Sequence, residues 1–395
     1  MAKLQRKPIK LGLEKILDEH LHLLENIRVG LICNQASVNH LFQHSADLFY
    51  NNPKINLVAL FGPQHGIRGD VQDNMVETSH TVDKLTGLPI YSLYSETRQP
   101  TEAMLSGLDA LVFDLQDIGC RVYTFIYTMA NAMQACAALG KKMFVLDRPN
   151  PIGGLAVEGN TLERGHESFV GQYPIPMRHG LTAGELANLF NREFGINCEL
   201  EIVTMNGWSR EDYYDETDAP WVMPSPNIPT VDTTAVFPAT VYFEGTEVSE
   251  GRGTTRPFEI VGAPYIDADD YAAALAALKL PGVIFRPINF LPTFQKHANQ
   301  SCGGVFLHVT KREVFEPVFT GLMMVKTVFD MYSEDFKWKI GEYEYAFNRN
   351  PFDVIAGTSK MREMFEKRSE PIDVKLFWQT DVIEFNQMRE EYLLY

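Results

Sequence analysis

The stretch of this chain richest in side chains able to do chemistry is Glu244-Gly245-Thr246-Glu247-Val248-Ser249-Glu250-Gly251-Arg252-Gly253-Thr254-Thr255-Arg256-Pro257-Phe258-Glu259. The closely spaced carboxylates of Glu244, Glu247 and Glu250, the hydroxyls, among them Thr254, and Arg252 flanked by glycines leave almost no apolar filling and make a poor core segment. A solvated acidic loop is the alternative. A merely solvated loop has no need of glycines on both sides of Arg252, which point to close backbone packing. A functional loop reaching over another part of the molecule is therefore expected.

Four shorter segments join it. In Gly62-Pro63-Gln64-His65-Gly66-Ile67-Arg68-Gly69-Asp70 an apolar run enters a glycine-rich turn. His65 is placed there for proton transfer or ligand contact, beside Gln64 and Arg68, unless the turn only satisfies its own backbone. In Asp114-Leu115-Gln116-Asp117-Ile118-Gly119-Cys120-Arg121-Val122-Tyr123, Asp117 suits either a helix cap or a catalytic carboxylate. Arg121 at a helix start opposes the dipole and needs a partner, either Asp117 or a bidentate anionic substrate; Tyr123 is a further contact candidate. In Asp147-Arg148-Pro149-Asn150-Pro151 two prolines stiffen the turn, so Arg148 and Asn150 are held where they point. An Asp147–Arg148 pair bracing two loops is the plainer reading there, and Glu158 downstream is left open. Arg178-His179-Gly180 precedes a capped helix whose free N–H groups can receive an anion, although a surface turn is also possible.

These side chains act together only if the fold brings them to one place. Short β-branched runs at Val29–Asn34, Ile55–Phe61, Ile90–Tyr94, Ala110–Asp114, Met143–Asp147 and Leu200–Thr204 alternate with helical stretches at Ala46–Asn51, Thr101–Leu105, Tyr123–Leu139 and Ala183–Phe194. The last carries a capping box, Thr182 with Glu185. The alternation describes an α/β fold with a doubly wound, Rossmann-like parallel sheet. In such sheets ligands sit beyond the carboxyl ends of the strands, and the segments at Gln64, Asp117 and Arg148 follow strand ends, as does Asn34. Neither a GxGxxG nor a Walker A sequence lies at the first turn, so no dinucleotide or nucleoside triphosphate is expected. A proline-rich connection, Pro224 to Pro229 with Asn227 inside it, suggests a boundary: residues 1–230 as the Rossmann-like catalytic domain and 231–395 as a smaller α+β domain contributing to the cleft. Strands at Val283–Arg286 and Val305–Val309 and helices at Ala268–Leu278, Pro317–Met331 and roughly Val374–Tyr392 are expected in the second.

The 395 residues are 45% hydrophobic and 22% charged, enough for two sizeable cores and too apolar for a disordered chain. A net charge of −16 without any basic run disfavours nucleic acid and anionic membrane as partners. The longest apolar helical stretch, Tyr123–Leu139, contains Asn131 and Gln134 and falls short of a bilayer span. Five cysteines without metal-ligand spacing suggest neither zinc nor a disulfide framework, no cofactor is implied, and loop 244–250 lacks calcium-loop spacing. Near the start, Lys3, Arg6 and Lys7 are followed by Lys10, Glu14 and Lys15, which interrupt any signal-peptide apolar region, so a cytoplasmic location is expected.

Asn34-Gln35-Ala36-Ser37, FGPQHGIRGD at 61–70, TGLPIYSLY at 86–94, FDLQDIGCRVYTF at 113–125, VLDRPNPIGG at 145–154, RHGLTAGELA at 178–187, PSPNIPT at 224–230 and EGTEVSEGRGTTRPFE at 244–259 together resemble the bacterial NamZ-type exo-β-N-acetylmuramidase family. The likeness runs in order over most of the chain and is weaker in the C-terminal third. It implies a glycoside hydrolase that removes non-reducing terminal N-acetylmuramic acid from peptidoglycan fragments in cell-wall recycling, with its site between a Rossmann-like domain and a smaller one. Muramic acid carries a lactyl carboxylate, for which Arg121, Arg178 and Arg252 are candidate partners. The family's turn usually reads Pro-Glu-His-Gly, its Glu a leading candidate for acid–base catalysis, whereas this chain has Gln64. An amide delivers no proton to a leaving oxygen, so Glu244 and Glu250, then Asp117, with His65 assisting, are the expected replacements. A sugar-binding protein that lost catalysis with Gln64, or a hydrolase for another acidic sugar, are the alternatives.

Overall fold

The computed structural model describes residues 6–72 and 75–395; Lys3 lies outside them. The strands, in chain order, are β1 (Arg28–Cys33), β2 (Asn56–Gly62), β3 (Thr81–Val82), β4 (Pro89–Ser92), β5 (Ala110–Asp114), β6 (Lys142–Leu146), β7 (Glu158–Thr161), β8 (Pro176–Arg178), β9 (Glu199–Val203), β10 (Ile260–Ala263), β11 (Val283–Phe290) and β12 (Cys302–Val309). Seven of them form one sheet in the order β3-β4-β2-β1-β5-β6-β9, parallel throughout except for the short β3 edge. β1 lies centrally and the chain winds outward on both sides of it, the doubly wound arrangement expected from the sequence. The strands expected there are all found.

Both faces of this sheet are covered, and the residue alternation shows how. Leu111, Phe113, Met143 and Val145 point into one apolar cluster, beneath the helices Phe125–Leu139 and Ala183–Arg192. Their neighbours Ala110, Val112, Phe144 and Leu146 point into the opposite cluster, under Gly12–Asp18 and Ser45–Tyr50. Strands buried on both faces read as continuous apolar runs. The capping box of Ala183–Arg192 forms as read: the Glu185 N–H donates to the Thr182 hydroxyl at 3.2 Å, and the Thr182 N–H donates to the Glu185 carboxylate at 2.9 Å.

A smaller antiparallel sheet, β10-β12-β11, packs with the helices Ala268–Ala277 and Pro317–Met331, and its Val261 and Val305 belong to the same apolar cluster as Phe113 and Val145. One helical expectation needed correction. The C-terminal stretch expected as one helix breaks into Pro371–Phe377 and Gln379–Arg389, because Trp378 leaves helical geometry (φ −107°, ψ 8°) with its indole buried. After the Pro224–Pro229 connection, which turns at Pro226 and Asn227, Val231–Thr240 is helical although β-branched residues and Pro238 disfavour it. Burial of nearly the whole helix overrides that weak propensity. No helix among the described residues is long and apolar enough to cross a membrane.

Candidate active site

The carboxyl end of β2 leads into Pro63 and Gln64, and His65 follows with a left-handed backbone (φ 69°). That turn directs Gln64 and His65 into a pocket that Tyr123 and Thr124 line from the start of the Phe125–Leu139 helix. Ser225 and Asn227 of the proline-rich connection close one side. The remaining wall comes from further along the chain: Glu244, Arg252, Tyr343 and Glu344.

Glu244 sits in the 3-10 turn Val241–Gly245 that continues the Val231–Thr240 helix. This turn abuts Phe352 so closely that a Cβ on Gly245 would lie 2.4 Å from the Phe352 Cα. Arg252 donates to Glu244 Oε1 from Nη2 at 2.5 Å and from Nε at 3.2 Å, and the Tyr343 hydroxyl donates to Oε2. The glycines beside Arg252 are there for the expected reason. Gly251 and Gly253 both have φ near 80°, and a Cβ on either would lie 2.6 Å from the Ile260 carbonyl oxygen and 2.5 Å from that of Phe294, respectively. Glu250 is turned away from this pocket toward an adjoining one, where Lys296 bonds it at 2.7 Å and also donates to the Phe243 and Val248 carbonyls. The coulombic pull of Lys296 and Arg252 holds the Glu250 carboxyl below its ordinary range despite burial, which opposes them.

Glu344, unflagged in the sequence, is 2% exposed and faces Gln64. The Gln64 amide nitrogen donates to Glu344 Oε1 at 2.9 Å, and the Tyr94 hydroxyl donates to Oε2 at 2.6 Å. Thr124 donates to the Gln64 carbonyl oxygen at 2.6 Å, which fixes the amide with its NH2 toward Glu344. Glu344 and Tyr345 both occupy left-handed backbone (φ 45° and 66°), a strain of about 1–3 kcal/mol per residue that surrounding contacts must offset. One such contact is Arg98, packed against both the Tyr94 and the Tyr345 rings at 4.1 and 4.2 Å where the two rings meet edge to face. Burial raises the Glu344 pKa, with the Tyr94 and Gln64 hydrogen bonds pulling the other way.

Of the residues singled out from sequence, Gln64, His65, Tyr123, Asn227, Glu244 and Arg252 meet around this pocket. His65 is buried, which pushes its pKa down to about 4, and its Nδ1 donates to the Val71 carbonyl at 2.7 Å. Its Nδ1 partner is thus a backbone carbonyl and not a carboxylate that would support proton donation. Asn227 also donates to the Gln72 carbonyl at 3.1 Å.

The others are engaged elsewhere. Asp117 accepts from the Gly119 N–H at 2.7 Å and lies 3.4 Å from His179. Arg121 does not pair with Asp117: its guanidinium donates to the carbonyls of Asn160, Ile175, Ile355 and Ala356. Arg148 pairs with Asp114 rather than Asp147, at 2.7 and 3.1 Å, and reaches the Val38 carbonyl. Asp147 instead accepts from Thr182, the Gly184 N–H and Tyr395, and burial still lifts its pKa to about 6. Asn34 donates to the Pro224 carbonyl, Asn150 to that of Leu181, and Thr254 to that of Gly251. Arg178 donates to the Ile152 carbonyl, the buried His179 accepts from the Leu181 N–H, and Arg68 is exposed 3.8 Å from Asp83. Glu158 accepts the Val318 and Phe319 N–H groups at the start of the Pro317–Met331 helix. Sequence reading missed Thr124, Ser225, Tyr94, Tyr343 and Glu344. In Glu342-Tyr343-Glu344-Tyr345 nothing sets the run apart from a solvated acidic turn, and its partners lie some 250 and 280 positions away.

A doubly wound α/β sheet, a smaller antiparallel sheet against it and a carboxyl-lined pocket beyond the strand ends define the class of this protein. Its sequence carries the comparison further. Residues 29–232 match the family described as exo-beta-N-acetylmuramidase NamZ, N-terminal, and residues 235–395 match the C-terminal counterpart. The chain belongs to the NamZ family. It is 46% identical over 391 residues to peptidoglycan beta-N-acetylmuramidase NamZ of Bacillus subtilis (strain 168), covering 99% of this chain and 92% of that protein. Two solved DUF1343 family proteins from Bacteroides fragilis NCTC 9343 share the fold. One has a TM-score of 0.90 at 38% identity, covering 99% of this chain and all of that one, and the other 0.76 at 30%, covering 98% and 99%.

Proposed function

We propose that this chain is an exo-acting glycoside hydrolase that removes β-linked N-acetylmuramic acid from the non-reducing end of peptidoglycan fragments. In this reading residues 1–230 form the Rossmann-like lobe and 231–395 the smaller lobe completing the cleft. The observation that carries it is the meeting of Glu244, Arg252 and Tyr343 with the Gln64 turn around one buried pocket. Glycoside hydrolysis ordinarily uses two carboxyl groups flanking the scissile bond, or one with the substrate's own acetamide. Glu244 supplies one, oriented by Arg252 and Tyr343. Family membership, with a B. subtilis relative named as a peptidoglycan muramidase, supports the choice of sugar.

Purified protein is mixed with a muramic-acid-terminated disaccharide and, separately, its N-acetylglucosamine-terminated counterpart, and released sugar is followed by mass spectrometry. Release of N-acetylmuramic acid alone is expected. Binding without release from either substrate would support a sugar-binding protein and overturn the proposal.

A further inference from the structure

The turn after β2 carries an amide at Gln64, and the amide is aimed at a carboxyl from the far end of the chain. We infer that Glu344 is the proton donor to the glycosidic oxygen and that Gln64 is its positioning residue. The inference rests on the hydrolase reading above and names the acid that reading requires.

The geometry argues it as follows. Gln64 cannot give up a proton, but its carbonyl oxygen is held by Thr124 and its amide nitrogen by Glu344. The turn after β2 therefore presents a hydrogen-bond donor to a carboxyl. Gln64 and Tyr94 each occupy one oxygen of Glu344. A carboxyl oxygen has two lone-pair sites, so each keeps one able to carry a proton. Glu344 is buried and lines the same pocket as Glu244. The two carboxyls sit in opposite surroundings: Glu244 bonds to the Arg252 guanidinium, while Glu344 bonds to a neutral amide and a phenol. Environments of that kind separate an acid from its partner carboxylate. The left-handed backbone at Glu344 and Tyr345 is an unfavourable conformation retained where the side chain meets the site.

The step balances. As the bond from the anomeric carbon to the glycosidic oxygen breaks, its electron pair stays on the oxygen, which takes the Glu344 proton and leaves as the sugar alcohol. A water oxygen bonds to the anomeric carbon and loses one proton, which restores the protonated carboxyl over the cycle.

The test compares two substrates that differ in their need for an acid: the muramic-acid-terminated disaccharide, and the 4-nitrophenyl β-glycoside of N-acetylmuramic acid, whose leaving group departs without protonation. Glu344→Gln is expected to lower kcat/KM on the disaccharide by about 100-fold or more and on the aryl glycoside by less than about tenfold. The exchange variant Gln64→Glu/Glu344→Gln is expected to recover at least about tenfold on the disaccharide, since the carboxyl returns across the same hydrogen bond. Equal losses on both substrates, or none, overturn the assignment. If Glu344→Gln does not fold, Gln64→Leu decides: removing a donor that favours the Glu344 carboxylate moves the alkaline limb of kcat/KM upward, and an unmoved limb overturns the inference. Wild-type activity separates the two failures, since an active wild type with an indifferent Glu344 refutes only this inference. A wild type that cleaves neither glycoside refutes the hydrolase reading with it.

Discussion

Arg121 is the arginine whose sequence position most suggested a substrate anion, and its surroundings predict that changing it alters stability and not substrate affinity. Its side chain is fully buried, and its four donated hydrogen bonds, at 2.7 to 3.2 Å, go to carbonyls from two distant parts of the chain. Ile355 and Ala356 belong to the last turn of the Pro351–Ala356 helix, whose carbonyls have no intrahelical partner, while Asn160 lies in β7 and Ile175 immediately precedes β8. A hydrogen bond to a charged group contributes about 1.5–3 kcal/mol. Simple addition would overstate the loss, because removing the guanidinium also removes the penalty of burying its charge. The expected cost of Arg121→Met is about 3–5 kcal/mol, the scale of breaking a buried charged network. Urea unfolding followed by tryptophan fluorescence measures it. KM for the muramic-acid-terminated disaccharide, taken at low temperature where the variant is folded, is expected to stay within about threefold, less than the loss of one hydrogen bond. A variant of wild-type stability with KM raised tenfold or more would refute the reasoning and return Arg121 to the substrate.

Three further outcomes follow from the same geometry. Burial lifts the Glu158 pKa from 4.5 to about 7, so between those values the unfolded chain releases a proton that the folded chain keeps. Its contribution is present in full below pH 4.5 and is lost as pH rises toward 7, about 3 kcal/mol in all. Glu158→Gln should therefore gain on wild type between pH 4.5 and 8 in paired urea titrations, and a constant difference would refute it. Gly251→Ala forces a Cβ to 2.6 Å from the Ile260 carbonyl at φ 79°, and a loss of at least about 1–3 kcal/mol with a reduced kcat/KM is expected by urea melt and disaccharide assay. His65→Asn keeps a residue that tolerates left-handed backbone. With the histidine already neutral above about pH 4, neither limb of the kcat/KM profile between pH 5 and 8 should move.

Much of the fold was legible because its signals are local. Six apolar runs marked six strands of the main sheet, and Thr182 with Glu185 marked a helix start that the structure repeats bond for bond. The rule that ligands sit beyond the strand ends singled out the turn at Gln64, the density of polar side chains and the flanking glycines singled out the loop around Arg252, and both reach one pocket. What the sequence hid is partner choice. Arg148 lies next to Asp147, yet it crosses 34 positions to Asp114, because adjacent side chains at a strand end point to opposite faces while residues at the ends of neighbouring strands point together. Arg121 was read against the helix it precedes, and it instead neutralises the end of a helix some 230 positions later.

Glu344 is the sharpest case of that hidden partner choice. Glu342 and Glu344 differ by two positions in one acidic turn, and only the second is buried. The difference comes from Tyr94 and Gln64 on the opposite wall, and from a left-handed backbone that no local pattern announces. Along the sequence, Gln64 reads as an amide that delivers no proton to a leaving oxygen. In three dimensions the same amide is a donor fixed on a buried carboxyl whose left-handed backbone is held beside the pocket. The chemistry of residue 64 is therefore legible only together with the residue it faces.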